Sequence, residues 1–216
     1  MAPSTSHHLT LVSGRTPVLL VALVALTVLA YPIREPVYRL IAETTEGSPF
    51  LSWTAAAVTE PGLVLLVVLT ALIALWSWIR DRTVFWDLAS GGVGVIGAYS
   101  LSEATKLIFT QERPCAVMDV ATVLACPEAG DWSWPSNHSV VAAAFATACV
   151  LALPNFVWFV APAATLIALS RVAVGVHYLH DTVAGVTLGV MSVLLSTTVL
   201  RGATARLKPP QEQANE

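Results

Sequence analysis

Charge is scarce in this sequence. Only 12% of its residues are Asp, Glu, Lys or Arg, where soluble globular domains carry about 25%. A chain this poor in charge cannot clothe itself in an ordinary water-facing surface. Its 11 Lys and Arg form no basic run, which excludes a nucleic-acid patch. The net charge of -3 says little about partners, because the charges are confined to loops and ends. No linker, low-complexity tract or internal repeat divides the 216 residues, so the chain reads as a single domain, 15–202, between polar tails at 1–14 and 203–216. What remains is 56% hydrophobic, with a mean hydropathy of +0.71.

That hydrophobicity is organised in runs. A membrane helix needs about 20 mostly apolar residues, and six stretches are candidates: 17–33, 62–79, 85–108, 139–153, 156–174 and 182–200. The expected architecture is therefore all-α, a polytopic membrane protein with six transmembrane helices in one bundle. The third stretch is interrupted by Ser100, Ser102 and Glu103, and the fourth is short and closely follows a polar cluster. The first has a second reading as a signal peptide, with Arg15 ahead of the apolar run and Val28-Leu29-Ala30 resembling a cleavage site. Cleavage would leave the other five spans unchanged. Loop cations set the orientation: Arg15, Arg80, Arg82, Arg201, Arg206 and Lys208 fall on one side, Arg34 and Arg39 on the other. Both termini are thus expected in the cytoplasm of a plasma-membrane protein. The first outer loop carries Glu35, Glu43, Glu46 and Glu60, and its stretch 37–42 is expected along the interface.

Against this apolar ground stand three polar clusters: Lys106 with Arg113-Pro114, Pro135-Ser136-Asn137-His138, and Ser170-Arg171 with His177 and Asp181. In the six-span topology all three fall on the outer side, which favours one shared site. Ionisable groups at a membrane are costly and mark function. Arg113 and Arg171 offer planar forks to phosphate oxygens and Lys106 adds a point charge. The bland alternative is snorkelling, or pairing with Glu103, Glu112 or Asp131. His177 and Asp181, four apart, share one helix face, so the carboxylate can hold the imidazole while its free nitrogen attacks phosphorus. Asp181 also suits a cap at the start of the last span. His138 suits a general acid, and Ser136 or Asn137 an N-cap. His180 reads as a polar lining residue. Two His and an Asp suit a divalent metal, but three cations beside them repel one, so no metal and no cofactor is expected.

The ordered set Lys106-(six residues)-Arg113-Pro114, Pro135-Ser136-Asn137-His138 and Ser170-Arg171-(five residues)-His177-(three residues)-Asp181 resembles the type-2 phosphatidic acid phosphatase superfamily, which includes membrane lipid phosphatases and the soluble vanadium haloperoxidases. The resemblance covers roughly 100–190. It implies His177 as a nucleophile forming a phosphohistidine, Asp181 as its orienting carboxylate and His138 as the acid for the leaving group. It implies phosphoryl binding by Lys106, Arg113 and Arg171, helped by Ser136, with no metal. One position departs from the family pattern: Asn137 stands where Gly is usual, and it is expected among the phosphate-binding residues, where its side chain either narrows the approach to phosphate or adds a hydrogen bond.

Cys115 and Cys126 flank the loop between the first two clusters and suit a disulfide in an oxidising compartment. Cys149 reads as an apolar filler. Gly91, Gly92, Gly94 and Gly97, and Gly185 with Gly189, allow close helix contact within one bundle. Trp53, Trp78, Trp86, Trp132 and Trp134 suit membrane interfaces. The expected function is hydrolysis of a lipid phosphate at the outer face, of a polyprenyl diphosphate first, with phosphatidate, phosphatidylglycerophosphate or a prenyl-linked phosphosugar as alternatives. The partners are the lipid substrate and membrane lipids. A transporter would place its polar residues near the bilayer midplane, and six spans argue against a soluble haloperoxidase. A neutral His177 and a protonated His138 together predict a bell-shaped pH profile.

Overall fold

The computed structural model describes residues 15–207. Its helices are α1 (Arg15–Ala30), α2 (Arg34–Glu46), α3 (Pro49–Arg80), α4 (Arg82–Ile108), α5 (Pro114–Val117), α6 (Asn137–Ala152), α7 (Val157–Ala173) and α8 (Leu179–Leu207). No strand occurs among the described residues. The expected tail 1–14 lies outside them, and helix α8 continues through Leu207 into the other.

Local chemistry explains the boundaries. The Ser48 hydroxyl accepts from the Leu51 amide at 3.5 Å, and Pro49 opens α3 where its missing N–H costs nothing. Pro61 does not stop this helix, although it removes one backbone donor. The span expected at 62–79 is therefore the far part of a 32-residue helix. One extended residue, Asp81, closes α3 and caps α4, its Oδ1 accepting from Thr83 and Val84 amides at 3.0 and 3.3 Å. Between α1 and α2 the chain turns by 87°. Helix α2 buries Tyr38, Ala42 and Thr45 along one stripe and exposes Glu35, Arg39, Glu43 and Glu46, the pattern of a helix lying at an interface.

The six-span expectation is only partly met. Helices α3, α4 and α8 and the stretch Pro154–Ala173 are long and apolar enough to cross a membrane, and the bent α1–α2 pair makes at most a fifth. Helix α6 has 16 residues; at about 1.5 Å per residue it rises ~24 Å, short of the ~30 Å hydrocarbon core. It is short because its first turn belongs to the polar cluster rather than to lipid.

Helix α6 is nevertheless the hub, packed by α3, α4, α7 and α8. Its buried face is almost all alanine: Ala142, Ala143, Ala144, Ala146, Ala148 and Ala152. Lipid tails are as apolar as leucine, so helices associate in membranes by close packing of small residues. Helix α8 meets α6 through glycine: a Cβ on Gly185 would stand 2.6 Å from the Ser136 carbonyl oxygen, and one on Gly189 would collide with the Val140 carbonyl. The outward faces stay greasy, with Val64, Leu72, Leu75, Trp158 and Phe159 exposed. This is an integral membrane architecture.

Candidate active site

The C-terminal ends of α4 and α7 and the N-terminal ends of α6 and α8 meet at one end of the bundle, and each delivers a polar side chain. Lys106 comes from the last turn of α4, His138 from the first turn of α6, Arg171 from the last turn of α7 and Asp181 from the first turn of α8. Arg113 is held extended by the Pro114 that follows it. His177 is carried round by a reversal after α7. Gly175, at φ +90°, lets its own amide bond Val172 O at 3.0 Å and the Val176 amide bond Arg171 O at 3.2 Å, the two bonds of a Schellman motif. Lys106, Arg113, His138, Arg171 and His177 line one cavity of about 370 Å³ with Asn137, Asp131 and Glu60, and Asp181 lies buried behind His177. The three sequence clusters are thus in one place. Ser170 is not in it; its hydroxyl bonds back to Ile167 O at 2.7 Å.

The cations are buried: Lys106, Arg113 and Arg171 are 5%, 6% and 5% exposed. Lys106 Nζ lies 3.5 Å from Glu103 Oε1 and 3.4 Å from Asp131 Oδ1. Arg113 Nη2 lies 3.0 Å from the same Asp131 oxygen. Burial alone would raise the Asp131 carboxyl, but Arg113, then Lys106, hold it below the usual range. Arg171 has no carboxylate within ion-pair reach among the described residues. Its Nη1 donates to Thr59 Oγ1 at 2.7 Å, and its buried Nε has no partner. Ser136 stands at the N-cap position of α6 without making the expected side-chain cap, and its buried hydroxyl also has no partner. Unsatisfied donors of this kind are costly and call for a partner.

Asp181 is fully buried and saturated. Its Oδ1 accepts from Gln111 Nε2 at 2.9 Å and lies 3.1 Å from His180 Nε2. Its Oδ2 accepts from Ser133 Oγ at 2.5 Å and, in the expected capping role, from the Tyr178 amide at 2.9 Å. His177 Nδ1 is 3.6 Å from Oδ2, too far for a hydrogen bond, but 3.2 Å from Ser133 Oγ. Ser133 gives its proton to Asp181, so its oxygen accepts from Nδ1–H. That places the His177 lone pair on Nε2, facing the cavity, where Arg113 Nη1 donates to it at 2.9 Å. Burial pushes the His177 imidazole down to about 4, with Asp181 opposing the shift.

Asn137 adds hydrogen bonds: Ser102 Oγ donates to its Oδ1 and its Nδ2 donates to Glu103 Oε1, both at 2.6 Å. It therefore ties α6 to the α4 turn that carries Lys106. His180 lines a neighbouring cavity with Tyr31 and Trp134. Cys115 and Cys126 are bridged, just after Arg113. Within their loop Thr122 packs on Gly175 and the Leu124 amide bonds Val174 O at 3.3 Å. Sequence reasoning missed Ser133, Gln111 and Thr59, and it weighed Asp131 only as a bland ion partner. Ser133 and Gln111 had a local signal, each being two residues ahead of a cluster residue, Pro135 and Arg113.

A model of the PAP2 superfamily matches residues 87–205. An undecaprenyl-diphosphatase of Sulfolobus acidocaldarius is 32% identical over 108 residues, 50% of this chain and 52% of that protein; the chain spans about half the length of this curated relative. Among solved structures, LpxE of Aquifex aeolicus aligns with a TM-score of 0.61 at 20% identity, over 77% of this chain and 95% of that one. The first transmembrane PAP2 type phosphatidylglycerolphosphate phosphatase, from Bacillus subtilis, aligns with a TM-score of 0.64 at 21% identity, over 88% and 98%. These two likenesses speak to fold.

Proposed function

The chain belongs to the PAP2 superfamily, and from that premise we propose that it is a lipid phosphatase that works through a phosphohistidine on His177. The observation that carries the reading is a buried imidazole whose unprotonated Nε2, held by Arg113 Nη1 at 2.9 Å, belongs to a cavity lined by three buried cations. His177 Nε2 attacks phosphorus, and a P–N bond forms as the P–O bond to the lipid breaks. His138 protonates the departing oxygen; burial, then Arg171, pushes its imidazole down to about 3, so it carries that proton only with the phosphoryl anion bound beside it. Water then cleaves the P–N bond, releasing phosphate and regenerating the imidazole. Arg171, Arg113 and Lys106 bind the phosphoryl oxygens, with the Ser136 hydroxyl and the α6 amides as further donors. Ser133 and Asp181 keep the proton on Nδ1. Catalysis needs no metal, because the charge a metal would neutralise is met by three fixed cations.

The preferred substrate is a polyprenyl diphosphate. Support comes from the undecaprenyl-diphosphatase relative and from the cavity wall, where Leu63, Tyr99 and Val141 border the charged residues and give an isoprenoid tail an apolar exit. The site faces outward at the plasma membrane, both termini being cytoplasmic. Purified protein in detergent with EDTA is given a polyprenyl diphosphate, phosphatidate and phosphatidylglycerophosphate, and phosphate release is followed. Selective release from the first supports the assignment; preference for a glycerolipid replaces the substrate and keeps the chemistry. Full activity in His177→Ala, or dependence on added metal, overturns the mechanism.

A further inference from the structure

We propose that Asp131 is an internal anion occupying half of the phosphate site, which the substrate must displace, and that it thereby favours diphosphate over monophosphate headgroups. The inference rests on the phosphate-binding reading above. Arg113 is nearly spent as a donor. Its Nε bonds Asp131 O at 2.8 Å, its Nη1 bonds Val176 O at 3.1 Å and His177 Nε2 at 2.9 Å, and its Nη2 meets Asp131 Oδ1 at 3.0 Å. A guanidinium has five N–H groups, so one is left, too few for the two-pronged grip that arginine makes on phosphate. Lys106 is tied to the same carboxylate oxygen at 3.4 Å. Arg171, on the same cavity, meets no carboxylate by contrast, and its Nε and the Ser136 Oγ beside Asn137 are both buried and without a hydrogen-bond partner.

The carboxylate is placed to leave. Its side chain is 49% exposed, on a turn whose amide bonds Glu128 O at 3.1 Å beside Gly130 at φ +95°. The bond to Arg113 Nε comes from the Asp131 backbone, so the guanidinium stays anchored when the carboxylate swings out. Asp131 is ionised at neutral pH because Arg113 and Lys106 outweigh its burial, and the exchange is anion for anion. A single phosphoryl group settles on Arg171 and Ser136 and gains little by evicting a charge already matched to its cations. A diphosphate brings a second anionic group next to the first, and that group replaces Asp131 at Lys106 and Arg113.

The test is Asp131→Asn, which keeps size and backbone and removes the charge, with Asp131→Ala as a second variant. Inorganic phosphate affinity is measured calorimetrically in detergent, independent of turnover, and KM is compared for prenyl monophosphate and diphosphate. Either variant is expected to bind phosphate about tenfold tighter, equivalent to ~1.4 kcal/mol. Monophosphate KM should fall by a similar factor and diphosphate KM much less, so the preference narrows. Phosphate affinity that is unchanged or weaker in folded protein, judged by its melting temperature, overturns the proposal and leaves Asp131 a strut for Arg113. If His177→Ala stays active, the reaction pathway fails while the phosphate comparison still decides the role of Asp131.

Discussion

At the scale of single residues, the proposed nucleophile is governed through Ser133 rather than by its carboxylate directly. With Nδ1 at 3.2 Å from Ser133 Oγ and 3.6 Å from Asp181, the serine hydroxyl transmits the orientation. Ser133→Ala leaves Nδ1–H without an acceptor and takes one donor from Asp181. Steady-state kinetics should show kcat down by about tenfold or more, ~1.4 kcal/mol, with KM little changed and Ser133→Thr restoring most of the loss. A parallel rise in KM would mean that the site had collapsed instead. The buried imidazole also sets a pH limit. An ordinary histidine protonates near 6.5, whereas burial holds His177 at about 4. Protonation removes the Nε2 lone pair, so activity is lost as pH falls through the depressed value. The acid limb of kcat/KM, which reports the free enzyme, should therefore lie well below pH 6.5. An acid midpoint at or above ~6.5 would contradict the burial argument.

At the scale of elements, the proposed catalytic residues are held by helix ends, and the helix ends by glycine contacts. Gly185 brings α8 against the Ser136 carbonyl, and Ser136 O in turn accepts the Val140 amide at 3.0 Å. A methyl group at Gly185 would stand 2.6 Å from that oxygen, and overpacking of this kind costs about 1–3 kcal/mol. Gly185→Ala should lower both the melting temperature and kcat/KM by pushing the Ser136–His138 turn away from Asp181. Gly92→Ala, where an added Cβ meets nothing within 4 Å, should change neither. This is also where the sequence was most and least legible. The chemistry demands His, Asp, Arg and Lys at helix ends, and those residues stand out in an apolar chain. Asn137 was marked as unusual, though only the fold shows it bonded to Ser102 and Glu103. Thr59 was invisible because it meets Arg171 across 112 residues of sequence. Helix α3 runs well beyond the expected span 62–79 because Pro61 is accommodated within it.

At the scale of the whole molecule, function depends on which side of the membrane the polar end faces. Lys106, Arg113, Arg171, His177 and Asp181 gather at one end. The α3–α4 hairpin at Asp81 and the Arg201–Asp87 pair at 2.8 Å mark the other. Flanking charge separates the ends as well: Arg80 and Arg82 sit at that hairpin, while α2 displays Glu35, Glu43 and Glu46 beside the catalytic end. Arg201 joins Arg80 and Arg82 at the hairpin end, against Arg34 and Arg39 on α2; cytoplasmic loops are enriched in Lys and Arg, which supports the proposed orientation, hairpin inward and cavity outward. A diphosphate headgroup bears several negative charges and does not cross the bilayer unaided, so the side on which it is cleaved is decided by this asymmetry. Intact spheroplasts expressing the protein should hydrolyse a water-soluble, membrane-impermeant short-chain prenyl diphosphate added outside, and His177→Ala spheroplasts should not. A protease added outside should spare a C-terminal tag until the cells are lysed. Hydrolysis that appears only after lysis, with the tag cut in intact cells, would invert the orientation and move the proposed reaction to the cytoplasmic leaflet.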